Sequence, residues 1–215
     1  RQILKYVISI VLSYLIGGFS PSTLLGRKKG INIRDAGSKN AGASNTFLLI
    51  GPKFGIFVAL ADILKGAICV FLAEIYAPEL IHIGVLAGTA AVIGHVFPLH
   101  IKFKGGKGVA TYLGMMLALD WPVFLIFGIT LVILSFLSNY IITGIFVSVI
   151  AYPIFISAYY GDAVSAFIVS IASTIVLFKH RSNIQRFLHG EEYRIRQGLM
   201  KLIRSKDKTT TGDKQ

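Results

Sequence analysis

Residues 54–77 read FGIFVALADILKGAICVFLAEIYA, and this stretch decides the expected fold class of the chain. A helix needs about 20 predominantly apolar residues to cross a hydrocarbon layer that is roughly 30 Å thick. Residues 54–77 meet that length, and their only charged residues are Asp62, Lys65 and Glu74. Backbone polar groups inside lipid must bond within their own segment, because no water is present to satisfy them. The stretch therefore predicts a transmembrane α-helix.

Further apolar runs occur along the whole chain. With the first stretch included, they are residues 3–26, 54–77, 81–101, 109–119, 123–137, 141–160 and 163–179. The composition agrees, because 54% of the residues are hydrophobic and 15% are charged, whereas soluble domains carry about 25% charged residues. We therefore predict an all-α integral membrane protein. Residues 1–205 form a single polytopic domain, and residues 206–215 form a disordered polar tail.

The number of spans depends on how residues 109–137 are divided. They could form one long helix, but Asp120, Trp121 and Pro122 interrupt them, and proline disfavours helix in the residue before it. We therefore predict two short helices there and seven transmembrane helices in total. Residues 3–26 are kept as a span rather than a signal peptide, because the run is long and lacks a small-residue cleavage site.

The charged residues predict the orientation of the chain. With seven spans and the N-terminus outside, the inner segments are residues 27–53, 102–108, 138–140 and 180–215, which include most of the lysines and arginines. Glu79, Asp120 and Asp162 fall on the outer side. Cytoplasmic loops carry an excess of Lys and Arg. The C-terminus and the polar loops are therefore expected on the cytoplasmic face of the membrane.

The remaining composition excludes several kinds of partner. The net charge is +12, but no basic soluble face exists to bind nucleic acid. The single cysteine, Cys69, lies inside an apolar run, so no disulfide framework is possible. No cluster of metal-ligating residues is present, and we expect neither a metal nor another cofactor. The oligomeric state is left open.

A polar, glycine-rich segment at residues 34–45 is the first candidate site. Small residues allow the backbone to turn sharply and to point successive N–H groups at one anion. Composition alone is equally consistent with a flexible loop in which Ser44 or Asn45 caps a short helix. The candidate phosphate-binding residues here are Gly37, Ser38, Lys39, Asn40, Gly42 and Asn45.

Two more polar segments are predicted on the same side. Residues 103–111 place glycines and lysines directly before a helix, whose N-terminus favours negative charge, although the spacing is not that of a Walker loop. The candidates in this segment are Lys104, Gly105, Gly106, Lys107 and Gly108. In the third segment, His180 and Asn183 would share a helix face if the helix continues. A positive-inside anchor and an amphipathic surface helix are the alternative interpretations of these segments.

Three ionisable residues lie within the predicted spans. His95 lies near the inner end of the third span, where a polar ring is costly and marks a functional candidate. A structural histidine is the alternative. Asp62 and Lys65 are three residues apart, so they can pair on one helix face, and we interpret that pair as structural.

Taken together, the segments resemble a known family. Gly37-Ser38-x-Asn40-x-Gly42-Ala43-x-Asn45, Gly94-His95-x-x-Pro98, residues 103–111 and His180-Arg181-x-Asn183 occur in the order seen in bacterial acyl-phosphate:glycerol-3-phosphate acyltransferases, the PlsY family. The resemblance covers nearly the whole chain. It implies acyl transfer from a fatty acyl phosphate to the 1-hydroxyl of glycerol 3-phosphate, a step of phospholipid biosynthesis.

The resemblance also implies roles for single residues. The first loop would hold a substrate phosphate, and the second would bind glycerol 3-phosphate. The expected catalytic residues are Ser38, His95, Lys107, His180 and Asn183, and the third motif's glutamate would be Glu191. The chain departs from the family pattern twice: Lys39 replaces a glycine, and Leu48 stands where the family has a phosphate-binding arginine.

Two other functions are compatible with the sequence. A transporter of phosphorylated anions would need broken helices near the membrane midplane, whereas the clear break at Trp121 is predicted on the opposite side from the glycine loops. A relative that acylates another acceptor, or has lost catalysis, is the other alternative, because Leu48 cannot make a bidentate phosphate contact.

Overall fold

The computed structural model describes residues 1–198, and this part of the chain contains no β-strand. The predicted tail at residues 206–215 lies outside the described residues. In chain order the α-helices are α1 (Gln2–Gly18), α2 (Pro21–Lys28), α3 (Ala43–Leu49), α4 (Pro52–Tyr76), α5 (Ile83–Val96), α6 (Val109–Leu119), α7 (Trp121–Ser138), α8 (Ile141–Tyr160), α9 (Ala163–Lys179) and α10 (Arg181–Leu188), with a short 3-10 helix at Leu99–Ile101.

Every predicted apolar run coincides with one or two of these helices. Within residues 1–198, five helical segments are long and apolar enough to cross a membrane: Gln2–Lys28, Pro52–Tyr76, Ile83–Ile101, Trp121–Ser138 and Ile141–Tyr160. Helices α9 and α10 would give a sixth if they were counted as one span, but they are bent by 53° relative to each other. Helix α6 has 11 residues and is about 16 Å long at 1.5 Å per residue, so it is shorter than a full span. The all-helical fold class is thus confirmed for residues 1–198, which contain five or six segments that are long and apolar enough to cross a membrane.

Two interruptions have local causes in the sequence. The first run is divided at Ser20, whose side chain accepts a hydrogen bond from Thr23 N and begins α2 with Pro21 at its first position. The predicted break before α7 is also present. Asp120 is the N-cap of α7, and its Oδ1 accepts a hydrogen bond from Val123 N at 3.1 Å. Capping and proline together end one helix and begin the next.

Small residues allow several helices to pack at short range. A Cβ added to Gly66 of α4 would lie 2.2 Å from Thr111 O, and one added to Gly114 of α6 would lie 1.9 Å from Ile63 O. Helices α1 and α5 meet in the same way, because a Cβ on Gly94 would lie 2.0 Å from Tyr14 O. Close backbone approach is the usual way in which helices associate in lipid, where no hydrophobic force drives them together.

The interhelical segments gather at two ends of the bundle. At one end Lys5 Nζ contacts Glu79 Oε1 at 2.6 Å, and Tyr160 donates a hydrogen bond to Asp120. At the other end Lys107 meets Asn183, and Arg196 N donates to Asn139 Oδ1 at 2.9 Å. The first group was predicted outside and the second inside, so the contacts agree with the predicted grouping of the segments.

Candidate active site

Asn45 organises the first glycine-rich loop. Its Oδ1 accepts a hydrogen bond from Ser38 N at 2.8 Å, and its Nδ2 donates to Ile33 O at 2.6 Å and to Ala36 O at 3.1 Å. The side chain is fully buried. The capping alternative is wrong, because Gly42 is the N-cap of α3 and no side chain caps this helix. Asn45 instead stabilises the conformation of the loop, because its side-chain amide forms hydrogen bonds with three backbone groups.

The tight turn of this loop requires glycine at position 37. Gly37 has φ +60°, and a Cβ there would lie 2.3 Å from Asn45 Oδ1. Lys39 also has a positive φ of 54°, which non-glycine residues adopt at a cost. Ser38 and Lys39 are exposed. Both side chains are therefore accessible to a ligand, while Asn45 is not.

The second loop packs directly against the end of α5. Gly105 N donates to Val96 O at 3.2 Å, and Gly106 N donates to His95 O at 3.1 Å. A Cβ on Gly106 would lie 2.1 Å from His95 Nε2 and 2.8 Å from Ala41 O, so this loop, the first loop and the His95 ring meet at one point. The backbone N–H groups of Gly105 and Gly106 therefore bond to α5 and are not directed at an anion. Glycine is needed at these two positions because a side chain would overlap the end of α5.

Gly108 ends the second loop and begins α6. It has φ +90° and is the N-cap of that helix. A Cβ there would meet Val96 Cγ2 at 3.0 Å. Because L-residues rarely adopt this backbone conformation, glycine is required at this position. The helix N-terminus that follows supplies a partial positive charge.

Lys107 joins the second loop to the third polar segment. Its Nζ donates a hydrogen bond to Asn183 Oδ1, and Asn183 Nδ2 donates to Glu192 Oε1 at 2.6 Å. Arg186 Nε donates to the other oxygen of Glu192 at 2.9 Å. Burial, with the nearby Arg186 adding to its effect, lowers the pKa of Lys107 to about 8. Glu192 therefore occupies the position expected for Glu191, which is exposed.

The helix of the third segment does not continue as expected. Helix α9 ends at Lys179, α10 begins at Arg181, and His180 stands at the bend between them. His180 Nδ1 donates to Val176 O at 2.8 Å, and its side chain is buried. The bend, rather than a shared helix face, brings Asn183 to Lys107.

The buried pair Asp62–Lys65 in α4 contacts a third ionisable residue, His95 of α5. Lys65 Nζ lies 2.8 Å from Asp62 Oδ1, as expected, and also 2.7 Å from His95 Nδ1. All three side chains are buried. The sequence analysis predicted Asp62 and Lys65 as a pair and His95 as a separate candidate, because residue spacing cannot reveal a contact between α4 and α5.

A basic cleft of about 640 Å³ opens between the first and second loops. Its cationic residues are Arg27, Arg34, Lys39, Lys102, Lys104 and Lys179, and Asp35 is its one carboxylate. Asn40 and Gly105 also line it. Arg34 NH1 donates to Ile101 O at 3.3 Å and so joins the two loops. Excess positive charge in a cleft of this size suits a small phosphorylated ligand.

The predicted residues thus fall into two adjoining groups. Lys39, Asn40, Lys104 and Gly105 line the cleft, whereas Lys107, His180 and Asn183 lie with Glu192 beside it. Sequence reasoning missed the cleft residues Arg27, Lys102 and Lys179, whose only signal was a position next to the glycine loops or at the end of the last span. Leu48 is exposed on α3 and is not part of the cleft wall.

Within residues 1–198, no group of three or more His, Cys, Asp or Glu side chains is arranged to hold a metal ion. The ionisable groups at this end of the molecule are mostly cations. The geometry can therefore position anions and donate hydrogen bonds to them, by means of Lys107, the cleft cations and the exposed loop around Ser38.

Comparison with known proteins agrees with this chemistry. The family described as glycerol-3-phosphate acyltransferase matches residues 7–190. Glycerol-3-phosphate acyltransferase 1 of Oceanobacillus iheyensis is 36% identical over 198 residues, which cover 88% of this chain and 95% of the relative. The glycerol-3-phosphate acyltransferase of a Synechococcus species is 38% identical over 196 residues, with coverage of 90% and 97%.

Two crystal structures share the fold. One is PlsY (YgiH), an integral membrane glycerol 3-phosphate acyltransferase, in its glycerol 3-phosphate form, with TM-score 0.83, 30% identity and coverage of 88% of this chain and 95% of that one. The other is its lysophosphatidic acid form, with TM-score 0.80, 29% identity and coverage of 88% and 94%.

Proposed function

Because this chain belongs to the glycerol-3-phosphate acyltransferase family, we propose that it acylates the 1-hydroxyl of glycerol 3-phosphate and so produces lysophosphatidic acid. The observation that carries the proposal is the position of the pair Lys107–Asn183 next to the basic cleft, whose wall includes Lys179, a residue close enough to act on the charge of Lys107. This arrangement provides positive charge for a phosphate and directional donors beside it. The activity makes the protein an enzyme of phospholipid biosynthesis.

The proposed donor is a fatty acyl phosphate. Such a donor is already activated, so the enzyme has mainly to position two anions and to stabilise the developing oxyanion. The acceptor hydroxyl attacks the acyl carbon, a new ester C–O bond forms, and the bond from the acyl carbon to the phosphate oxygen breaks. Inorganic phosphate leaves with the hydroxyl proton on one of its oxygens. This route requires neither a metal nor a protein base.

We assign a different substrate to each of the two groups of site residues. The exposed loop around Ser38, with Lys39, Asn40 and Lys104 in the cleft wall, binds the donor phosphate. Lys107, His180 and Asn183 bind the phosphate of the acceptor. Gly37, Gly42, Asn45, Gly105, Gly106 and Gly108 shape the two loops. This assignment is supported by the exposure of Ser38 and by the contact of Lys107 with Asn183.

We further propose seven membrane crossings, with the N-terminus outside and the site at the cytoplasmic face of a bacterial inner membrane. Helix α6 runs from the loop end of the bundle to Asp120 at the other end, which supports counting it as a crossing. At about 16 Å it is much shorter than the hydrocarbon layer of roughly 30 Å. The segments at the two ends of α6 are therefore closer together than those at the ends of a full-length span.

The test is an assay of purified protein in detergent with palmitoyl phosphate, palmitoyl-CoA or palmitoyl carrier protein as donor. With glycerol 3-phosphate as acceptor, we expect palmitoyl phosphate to be the one donor of the three that gives product, with equal amounts of lysophosphatidic acid and inorganic phosphate. Lys107→Met should abolish most of the transfer, whereas Lys53→Met, which removes an exposed lysine away from the cleft, should not. Transfer from the thioesters only would refute the donor assignment.

A different acceptor is the second candidate, and Leu48 is the observation that favours it. The charged contact expected at this position is missing, and Leu48 lies outside the cleft wall. A panel of glycerol 3-phosphate, glycerol and dihydroxyacetone phosphate with the same donor distinguishes the candidates. Faster acylation of another acceptor than of glycerol 3-phosphate would replace the main proposal.

A further inference from the structure

Lys65 has three polar partners close to its ammonium group. Its Nζ lies 2.8 Å from Asp62 Oδ1, 2.8 Å from Phe19 O and 2.7 Å from His95 Nδ1. A lysine ammonium has three donors and no acceptor. The contacts with Phe19 O and His95 Nδ1 are therefore hydrogen bonds in which Lys65 donates, and the contact with Asp62 is an ion pair. Together these three contacts fix the orientation of the ammonium group.

These contacts determine the tautomer of His95. A neutral imidazole has one nitrogen that donates and one that accepts. Because Lys65 donates to Nδ1, the hydrogen of the ring must be on Nε2. Asp62 Oδ1 lies 3.4 Å from Nδ1, whereas Lys65 Nζ lies 2.7 Å from it. The ammonium group is therefore the closer partner of that nitrogen, and it can only donate.

The other ring nitrogen faces the meeting point of the two glycine loops. A Cβ on Gly106 would lie 2.1 Å from His95 Nε2 and 2.8 Å from Ala41 O. Among residues 1–198, the hydrogen bond of the His95 ring is made through Nδ1. The Nε2–H group thus remains available to a ligand at the loops, although the side chain is only 7% exposed.

We propose that Lys65, oriented by Asp62, holds His95 as an Nε2–H donor that binds an anionic substrate oxygen between the two glycine loops. Asp62 and Lys65 are then positioning residues, and His95 is the group that touches substrate. In this tautomer Nε2 cannot accept the proton of the acceptor hydroxyl. The proposal rests on the acyl transfer proposed above and assigns His95 hydrogen-bond donation rather than proton transfer.

The first experiment reads the tautomer directly by nitrogen-15 NMR of the full chain in detergent micelles, with labelled histidine. The chain has five histidines, and the signals missing in His95→Gln identify His95. We expect Nδ1 to resonate as a non-protonated nitrogen and Nε2 as a protonated one. A double variant Asp62→Leu with Lys65→Met, which leaves no unpaired buried charge, should lose this preference. Protonation at Nδ1 in the wild type would overturn the proposal.

The second experiment separates donation from base catalysis. The amide of glutamine can place a donor near the position of Nε2 but cannot act as a base, whereas leucine supplies neither. We expect His95→Gln to keep roughly 10- to 100-fold more kcat/KM than His95→Leu, the range of one hydrogen bond to a charged group. Equal losses in both folded variants would contradict donation. Absence of transfer by the wild type would instead refute the proposed function, while the NMR result would still decide the tautomer.

Discussion

Lys107 shows how burial changes the chemistry of a single residue. It is charged at neutral pH, but its pKa is lowered to about 8 because it is largely removed from water and lies near Arg186. It therefore loses its charge within the range over which a membrane enzyme can be assayed. The second pKa of a phosphate monoester is near 6, so the charge of the acceptor stays constant above pH 7.

We expect kcat/KM for glycerol 3-phosphate to fall above pH 8, by up to about tenfold per pH unit, because only the protonated lysine attracts the acceptor phosphate. Lys107→Arg should remove this fall, because arginine stays charged. The measurement is kcat/KM between pH 7 and 9.5 for both proteins. An identical fall in Lys107→Arg would show that another group causes it.

Arg34 is the residue we expect to replace the phosphate contact that Leu48 cannot make. It lines the basic cleft and is oriented by Ile101 O, whereas Leu48 is exposed outside it. Hydrogen bonds to charged groups contribute about 1.5–3 kcal/mol. Arg34→Leu should therefore raise KM for a phosphorylated substrate by roughly 10- to 100-fold.

Leu48→Arg is the matched change. We expect it to alter KM by less than about threefold, which is well below the tenfold change that corresponds to about 1.4 kcal/mol. Both variants should be assayed with palmitoyl phosphate and glycerol 3-phosphate varied in turn. A large decrease in KM for glycerol 3-phosphate in Leu48→Arg would mean that position 48 does reach the acceptor.

At the scale of elements, the packing of α4 on α6 depends on two glycines. Added methyl groups at Gly66 and Gly114 would overlap the backbone carbonyls of Thr111 and Ile63. Gly128 of α7 has open space around its Cα. The three glycines therefore allow the cost of helix separation to be measured against the ordinary effect of alanine in a helix.

We expect Gly66→Ala and Gly114→Ala to lower the melting temperature in detergent by several degrees, because overpacking costs about 1–3 kcal/mol. Gly128→Ala should leave it unchanged or raise it slightly, because alanine favours helix. Since α6 begins directly after Lys107, the first two variants should also reduce activity. Similar melting temperatures for all three would show that α4 and α6 do not pack this closely.

At the scale of the whole molecule, the two ends of the bundle carry different charge. One end holds the cleft with its six cations, and the other includes Glu79, Asp120 and Asp162. Because loops rich in Lys and Arg stay in the cytoplasm, the cleft end is expected to face inward.

Cysteine labelling of intact cells tests this orientation. The one native cysteine, Cys69, is buried, and Cys69→Ala gives a background without reactive thiols. An impermeant maleimide should label Glu79→Cys in intact cells and should label Lys104→Cys only after the cells are opened. Labelling of position 104 from outside would reverse the proposed topology.

Most of the fold could be predicted from the sequence, because lipid allows few solutions. Long apolar runs must become helices there, and Pro122 with Asp120 ends one helix and begins the next. The break at Ser20 was missed, and the end of the last span at residue 179 was predicted without the bend at His180 that follows it. The break at Ser20 lies inside an apolar run, and the position of the His180 bend depends on packing rather than on a proline or glycine.

The sequence by itself determined the helices, the grouping of the polar loops and the identity of most candidate residues, because hydropathy and motif spacing are local properties of the chain. Only the tertiary structure decided which of those residues meet. The contacts of Lys107 with Asn183 and of Lys65 with His95 join residues 76 and 30 positions apart. The hydrogen bonds from Gly105 N and Gly106 N to the end of α5 could not be predicted from the sequence either, because hydrogen bonds between segments depend on how the helices pack.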